Sequence, residues 1–147
     1  MISLQNKELL ETSIEKFIIS SQKVAHVQLG NSIEHALLIL TKSGYSAIPV
    51  LDARFHFHGL ISSALITDSI LGLERIEFEK LNEKKVEDVM KSEVPTIKIH
   101  TKFEQALTLL IDHPFLCVID QEGYFEGILT RRSMLKELTR HVHFYKR

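Results

Sequence analysis

The sequence predicts an α/β (α+β) fold of two β-α-β-β-α repeats related by a pseudo-twofold axis, with an N-terminal helix before them and a connecting helix between them. Three observations carry this expectation. First, Ile48-Pro49-Val50-Leu51-Asp52 followed by His58-Gly59-Leu60-Ile61-Ser62 returns as Leu116-Cys117-Val118-Ile119-Asp120 followed by Glu126-Gly127-Ile128-Leu129-Thr130, and Val50 to Val118 and Gly59 to Gly127 are both steps of 68. Second, the match continues upstream with a step of 70, pairing Val27, Leu29, Ile33, Ala36 and Leu37 with Ile97, Ile99, Phe103, Ala106 and Leu107. The small difference between the two steps falls where a loop absorbs it. Third, each copy passes from a short alternating run to apolar residues at helical spacing. Tandem halves of this kind imply a cleft between them, and such interfaces favour ligands.

Taken in order, residues 5–19 form an amphipathic helix with Leu9, Leu10, Ile14, Phe17 and Ile18 on its buried side, expected to pack on the first repeat. The alternating strand 25–29 opens that repeat and runs into a helix marked by Ile33, Ala36, Leu37 and Leu40, which Gly44 ends. Two strands come next around a polar turn from Asp52 to His58, and Ser62-Ser63 supplies hydroxyls to cap the next helix. Residues 73–89 mix Leu73, Ile76 and Leu81 with Glu74, Arg75, Glu77, Glu79 and Lys80, which predicts a connecting helix with a solvated charged face, partner docking being the alternative. The second repeat has a strand at 96–99 and a helix marked by Phe103, Ala106, Leu107 and Leu110, which Asp112-His113-Pro114 stops. Two strands then flank Asp120-Gln121-Glu122-Gly123, and Thr130 caps the last helix. The expected divisions are 1–20, 21–72, 73–89 and 90–147, the last ending in a basic helix.

The chain has 147 residues, 44% hydrophobic and 25% charged, so it can bury one core and is expected to be one unit built of two subdomains. A formal charge of −1 excludes a strong nucleic-acid or membrane bias over the whole molecule. Cys117 is the single cysteine and lies in an apolar run, which makes it a core residue and fits a reducing compartment. The start Met1-Ile2-Ser3-Leu4-Gln5 has no basic stretch leading into an apolar one, and no segment reaches the roughly 18 apolar residues of a membrane span. A cytoplasmic protein is expected.

A β-α-β-β-α half of this size, repeated once, with a Gly-hydrophobic-hydrophobic-Ser/Thr step into its last helix, resembles the CBS domain pair known as a Bateman module. The resemblance runs from about residue 10 to residue 142. It implies an adenine-nucleotide sensor, a regulator and not a catalyst, in which the base slides between apolar backbone segments and the phosphates meet the N-terminus of a late helix. More narrowly, Lys23-Val24-Ala25-His26-Val27, Gly44-Tyr45-Ser46-Ala47-Ile48-Pro49-Val50, Glu74-Arg75-Ile76-Glu77-Phe78-Glu79-Lys80-Leu81 and Thr130-Arg131-Arg132 resemble the stand-alone cyclic-di-AMP receptors of Gram-positive bacteria, the DarB/CbpB type.

The residues suit that ligand. Thr130, Arg131 and Arg132 sit where a strand turns into a helix, so free backbone N–H groups, the helix dipole and two guanidinium groups converge there on an anion. Adjacent arginines point about 100° apart on a regular helix, so only an irregular first turn lets both reach one ligand; the alternative is that at least one is a surface charge. The resemblance implies that the pair meets phosphate. Mononucleotide-reading Bateman modules place an aspartate three residues after the Ser/Thr, against both ribose hydroxyls. Here those positions are Leu65 and Ser133, which disfavours AMP or ATP and is compatible with a cyclic dinucleotide whose 3′ oxygen is already esterified, a degenerate empty site being the alternative. Ala25, Ser46 and Ala47 are small enough for a flat base to approach the backbone. Tyr45 either stacks on adenine or covers a helix end. Lys23 either contacts phosphate or is simply solvated. Pro114 and Phe115 replace Ser46 and Ala47 in the second repeat, and Ser62-Ser63 replaces Thr130-Arg131, so one occupied site per chain is expected.

The pairs His56/His58 and His141/His143 lack a third ligand at useful spacing and are expected to be surface histidines, not a metal site. Glu77/Glu79 and Glu87/Asp88 have no adjacent nucleophile or base, and neither a glycine-rich phosphate loop nor a nucleophile elbow is present. No enzyme and no cofactor are expected. From Arg131 to Arg147 the cations Arg131, Arg132, Lys136, Arg140, Lys146 and Arg147 oppose only Glu137, which suits an acidic partner surface or merely the C-terminal dipole of their own helix, with RNA a minor alternative. The resemblance implies a homodimer that regulates a protein target in its ligand-free form: the bifunctional (p)ppGpp synthetase/hydrolase, or pyruvate carboxylase. An AMP/ADP/ATP energy sensor and a nucleotide-independent structural adaptor are the alternatives.

Overall fold

A computed structural model describes residues 4–145. The chain begins with α1 (Leu4–Glu11), a 3₁₀ turn at Ile14–Phe17, β1 (Ile19–Ser20) and a second 3₁₀ turn at Ser21–Lys23. It continues through β2 (Val27–Gln28), α2 (Ile33–Ser43), β3 (Ala47–Leu51), β4 (Phe57–Ser62) and α3 (Ser63–Ile70). Two single-turn helices come next, α4 (Lys80–Glu83) and α5 (Val86–Val89). The last part is β5 (Thr96–Ile97), α6 (Phe103–Leu109), β6 (Phe115–Ile119), β7 (Phe125–Thr130) and α7 (Arg131–Tyr145). Both repeats therefore have the β-α-β-β-α order that the duplication predicts. The chain divides into two compact units, Ala25–Val94 and Met1–Val24 with Pro95–Arg147.

In the unit Ala25–Val94 the sheet order is β2-β3-β4, with β2 parallel and β4 antiparallel to β3. Ser32 caps α2 by accepting the His35 N–H at 3.1 Å, and Gly44 closes it by donating to the Leu40 carbonyl. That helix lays Ile33, Ala36 and Leu40 on Val27, Ile48, Val50 and Ile61, all buried. In the other unit β7, β6 and β5 repeat the arrangement, and Ile97↔Val118 and Val118↔Gly127 answer Val27↔Val50 and Val50↔Gly59. Both hairpins shift register at the same place, after Val50 and after Val118. Asp52 and Asp120 build the same turn: Oδ1 of Asp52 accepts the N–H groups of Arg54 and His56, and Oδ1 of Asp120 those of Glu122 and Tyr124. Phe55 is left-handed at φ 69°, where the other turn has Gly123 at 90°. The Phe55 ring meets His26 edge-on at 5.2 Å.

Two expectations are corrected. The N-terminal segment packs on the second repeat, not the first. Helix α1 ends at Glu11, Phe103 N–H donates to the Thr12 carbonyl at 2.7 Å and Ile14 N–H to that of Thr101 at 3.0 Å. Ile14 is fully buried with Phe103, Leu116 and Leu129, while Phe17 sets its edge on Phe103 at 5.7 Å. Strand β1 then pairs with β7 through Ile19↔Ile128, and a Cβ on Gly127 would collide with the Ile19 carbonyl. The apolar pattern shows that the N-terminal segment has a buried side; Gly127 permits the close approach by which β1 pairs with β7. Gly59 does the same for the other unit, where Leu60 and Lys91 exchange backbone hydrogen bonds of 2.9 and 2.8 Å.

The connecting helix over 73–89 does not form. After α3 the chain folds back through a Leu71↔Ile76 bridge, closed by Gly72 N–H to the Arg75 carbonyl and Glu77 N–H to that of Ile70. Leu73 is fully exposed, whereas Val86 is fully buried and Leu81, Val89 and Met90 pack on the first core. One continuous helix would not bring these residues to the core from their positions along the chain, and burial outweighs helix propensity, which is weak. The strands expected at 25–29 and 96–99 shorten to Val27–Gln28 and Thr96–Ile97. Lys146 and Arg147 of the basic end, and Met1-Ile2-Ser3, lie outside the described residues. Among the described residues no helix is long and apolar enough to cross a membrane.

Candidate functional site

The passage from β7 into α7 joins Thr130, Arg131 and Arg132. Thr130 Oγ1 accepts the Ser133 N–H at 3.0 Å and lies 2.8 Å from the Ser133 hydroxyl, so the threonine caps the helix as its sequence position predicts. Arg131 N–H donates to the Pro114 carbonyl at 2.9 Å and ties the helix start to the beginning of β6. The two arginines then diverge. Arg131 donates from Nε to the Leu110 carbonyl at 2.9 Å and from an Nη to that of Ile111 at 3.3 Å, satisfying carbonyls at the end of α6. Arg132 is exposed and lines, together with Arg131, a surface concavity of about 680 Å³ along α7 with Leu135, Lys136, Thr139, Arg140 and His143. The positive end of the α7 dipole lies at this junction. Lys23 is exposed in the Ser21–Lys23 turn, which packs beside β7.

The other candidate residues belong to the unit Ala25–Val94. Ser46 opens toward solvent and its carbonyl accepts the Ser63 N–H at 3.1 Å, the counterpart of the Arg131 to Pro114 bond. Ala47 faces Ser62 across the hairpin, and Tyr45 keeps 38% of its surface exposed beyond the end of α2. Ala25 is half-buried at the edge of the first core. Ser62 Oγ accepts the Leu65 N–H at 3.1 Å and so caps α3 as Thr130 caps α7. Each unit thus presents one cluster: Lys23, Thr130, Arg131 and Arg132 in one, Ala25, Tyr45, Ser46 and Ala47 in the other.

A third constellation escaped the sequence. Asp52 Oδ2 lies 3.0 Å from His58 Nε2 and 3.2 Å from His56 Nδ1. The His58 hydrogen bond foremost, then the backbone N–H groups of His56 and Arg54, hold the Asp52 carboxyl well below the usual carboxylate range. The hairpin turn folds the aspartate back over both histidines, which a search for alternating histidines misses. The second pair, His141 and His143, lies on α7 and not on a strand, so the two rings point apart. His141 Nε2 is 2.8 Å from Asn6 Oδ1. Among the described residues no three His, Cys, Asp or Glu side chains are placed to hold a metal ion. Cys117 is buried, and burial pushes its thiol up to about 12, which agrees with a core role.

Comparison with known proteins adds to this geometry. A family model for the CBS domain matches residues 15–72 and again 86–140. Cyclic di-AMP receptor B of Bacillus subtilis is 52% identical over 142 residues, 97% of this chain and 97% of that protein. A crystal structure of the CbpB protein of Listeria monocytogenes in complex with cyclic di-AMP shares 59% identity at a TM-score of 0.84, covering 89% of this chain and 98% of that one. A crystal structure of CBSX2, a name carried by a chloroplastic CBS domain-containing protein of Arabidopsis thaliana, in complex with AMP, shares 25% identity at a TM-score of 0.74, covering 88% and 97%.

Proposed function

The chain belongs to the CBS-domain family, and from that premise we propose that it is a non-catalytic receptor for cyclic di-AMP. The observation that carries this reading is the likeness to the Bacillus subtilis receptor, which runs over nearly the full length of both chains. In this proposal Thr130, Arg131, Arg132 and Lys23 meet phosphate, while Ala25, Tyr45, Ser46 and Ala47 meet the base and its edges. Arg132 carries the larger share, because Arg131 already spends two donors on the Leu110 and Ile111 carbonyls and offers only the rest. Leu65 and Ser133 leave the ribose without a carboxylate partner, which is compatible with an esterified 3′ oxygen.

The receptor acts, in this reading, by changing its affinity for a protein target. The proposed target is the bifunctional (p)ppGpp synthetase/hydrolase, with pyruvate carboxylase second, engaged by a cytoplasmic homodimer in its ligand-free form. Ligand and target are then coupled reciprocally: if the dinucleotide weakens the target tenfold, about 1.4 kcal/mol, the target weakens the dinucleotide equally. An AMP, ADP or ATP sensor is the second reading, favoured by the AMP found in the CBSX2 structure. Calorimetric titration of the nucleotide-free protein with cyclic di-AMP, AMP, ATP and cyclic di-GMP separates the readings. Tight binding of cyclic di-AMP alone at one ligand per chain is the expected result; preference for AMP or ATP would overturn it, and silence from all four would leave a structural adaptor.

A further inference from the structure

We infer that Phe55 is a positioning residue for the ligand edge at Ala25: its ring, carried out of the Asp52 turn on a left-handed backbone, holds His26 and through it the backbone that a base would approach. The inference rests on the receptor reading above, in which Ala25 meets the base. Ala25 and His26 follow one another between the Ser21–Lys23 turn and β2, outside both elements. The Phe55 ring meets that stretch edge-on, with its centre 5.2 Å from that of the His26 ring and the two planes at 77°. Both residues are half-buried, and both belong to the unit Ala25–Val94.

The backbone at Phe55 is unfavourable for its own side chain. Glycine adopts a φ of 69° freely, whereas a residue with a Cβ does so at a cost. The turn enforces it: Phe55 N–H donates to the Asp52 carbonyl at 3.0 Å, Asp52 N–H donates to the His56 carbonyl at 3.0 Å, and Asp52 Oδ1 accepts the Arg54 and His56 N–H groups at 2.8 and 3.0 Å. The second repeat makes the same turn with Gly123 at φ 90°, so the fold itself needs no side chain there. Strain of this kind persists where the surrounding structure holds it, and it gathers at ligand sites. The repeats differ in step with one another: where the first has Phe55, His26 and Ala25, the second has Gly123, Thr96 and Pro95. Ring and base-binding edge thus occur in one repeat and are absent together from the other. A base that hydrogen-bonds the backbone at Ala25 binds more tightly the less that backbone must be ordered on binding, and the Phe55 contact supplies the order beforehand.

The test measures calorimetric affinity for cyclic di-AMP and the urea midpoint, on the full chain, in Phe55→Gly, Phe55→Tyr and His26→Ala. We expect Phe55→Gly to weaken the dinucleotide about five- to tenfold. Its urea midpoint should stay close to that of wild type, because relief of the left-handed strain offsets the lost ring contact. Phe55→Tyr keeps the ring and should stay within about twofold of wild type in affinity. His26→Ala should weaken the ligand by itself, and adding Phe55→Gly to it should cost less than about twofold more, since both changes remove one contact. Wild-type affinity in Phe55→Gly and His26→Ala, or full additivity of the two changes, overturns the inference and leaves the receptor reading intact. A loss of affinity that merely follows the urea midpoint across the variants also overturns it, since the ring would then stabilise the fold without placing the ligand edge. If Phe55→Gly folds poorly, His26→Ala beside Phe55→Tyr still decides. If the wild type binds no cyclic di-AMP, the receptor reading itself fails and takes this inference with it.

Discussion

The junction of β4 with α3 and that of β7 with α7 share a backbone plan and differ in charge. Each helix starts with an N–H bonded to the residue that opens the preceding strand pair, Ser63 to Ser46 and Arg131 to Pro114, and each is capped by a hydroxyl, from Ser62 or Thr130. Along helices α3 and α7, Ala64 and Asp68 stand where the second repeat has Arg132 and Lys136. Hydrogen bonds and core volumes preserved the duplicated scaffold, while solvent-facing side chains were free to diverge, because exposed positions tolerate substitution with little change in stability.

The strongest way to break the shared plan is at its closest backbone approach. Gly127→Ala should destabilise the protein by about 3 kcal/mol in urea denaturation, more than Gly59→Ala, because its Cβ meets both the Ile19 carbonyl and the Ile18 side chain. Equal losses would mean that β1 yields as easily as the 91–92 segment. Next, Arg132→Ala should weaken cyclic di-AMP by about 1.5–3 kcal/mol in calorimetry, whereas Ala64→Arg should leave it unchanged. An unaltered affinity in Arg132→Ala would move the phosphate away from this junction. A smaller effect is expected at the caps: Thr130→Ala and Ser62→Ala should each cost about 1 kcal/mol of stability. A large difference between them would show that the two caps are not equivalent.

The finest distinction is between the two hairpin turns, of which only the first pairs its aspartate with histidines. The folded Asp52 carboxyl lies below its ordinary value near 4, so its contribution is present above that value and is lost as pH falls through the folded one. The urea midpoint of wild type should therefore exceed that of Asp52→Asn at pH 7, and the gap should narrow below pH 4. A gap that is constant from pH 7 to pH 3 would assign the difference to turn geometry alone.

Local signals were readable where short-range physics decides. The caps at Ser62 and Thr130, the stop at Gly44, the turns at Asp52 and Asp120 and the burial of Cys117 each depend on a few neighbouring residues. The 71–79 stretch misled because Leu73 and Ile76 fit a helical spacing yet both remain exposed, and periodicity does not report whether a core lies opposite. The Asp52 partnership was hidden for a related reason: a turn brings together residues whose spacing matches no regular element.

By itself the sequence determined the duplication, the faces that become the two cores, the capped entry to each last helix and the unequal charge of the two junctions, since periodicity, capping and charge are written in residues close along the chain. Tertiary structure alone decided that the N-terminal segment joins the second repeat, that the 71–90 stretch breaks into short turns, and that Arg131 bonds the end of α6 although both arginines stay exposed. An apolar stripe or a guanidinium gains by burial or hydrogen bonding against any suitable surface, and which surface is within reach depends on contacts between residues far apart in sequence.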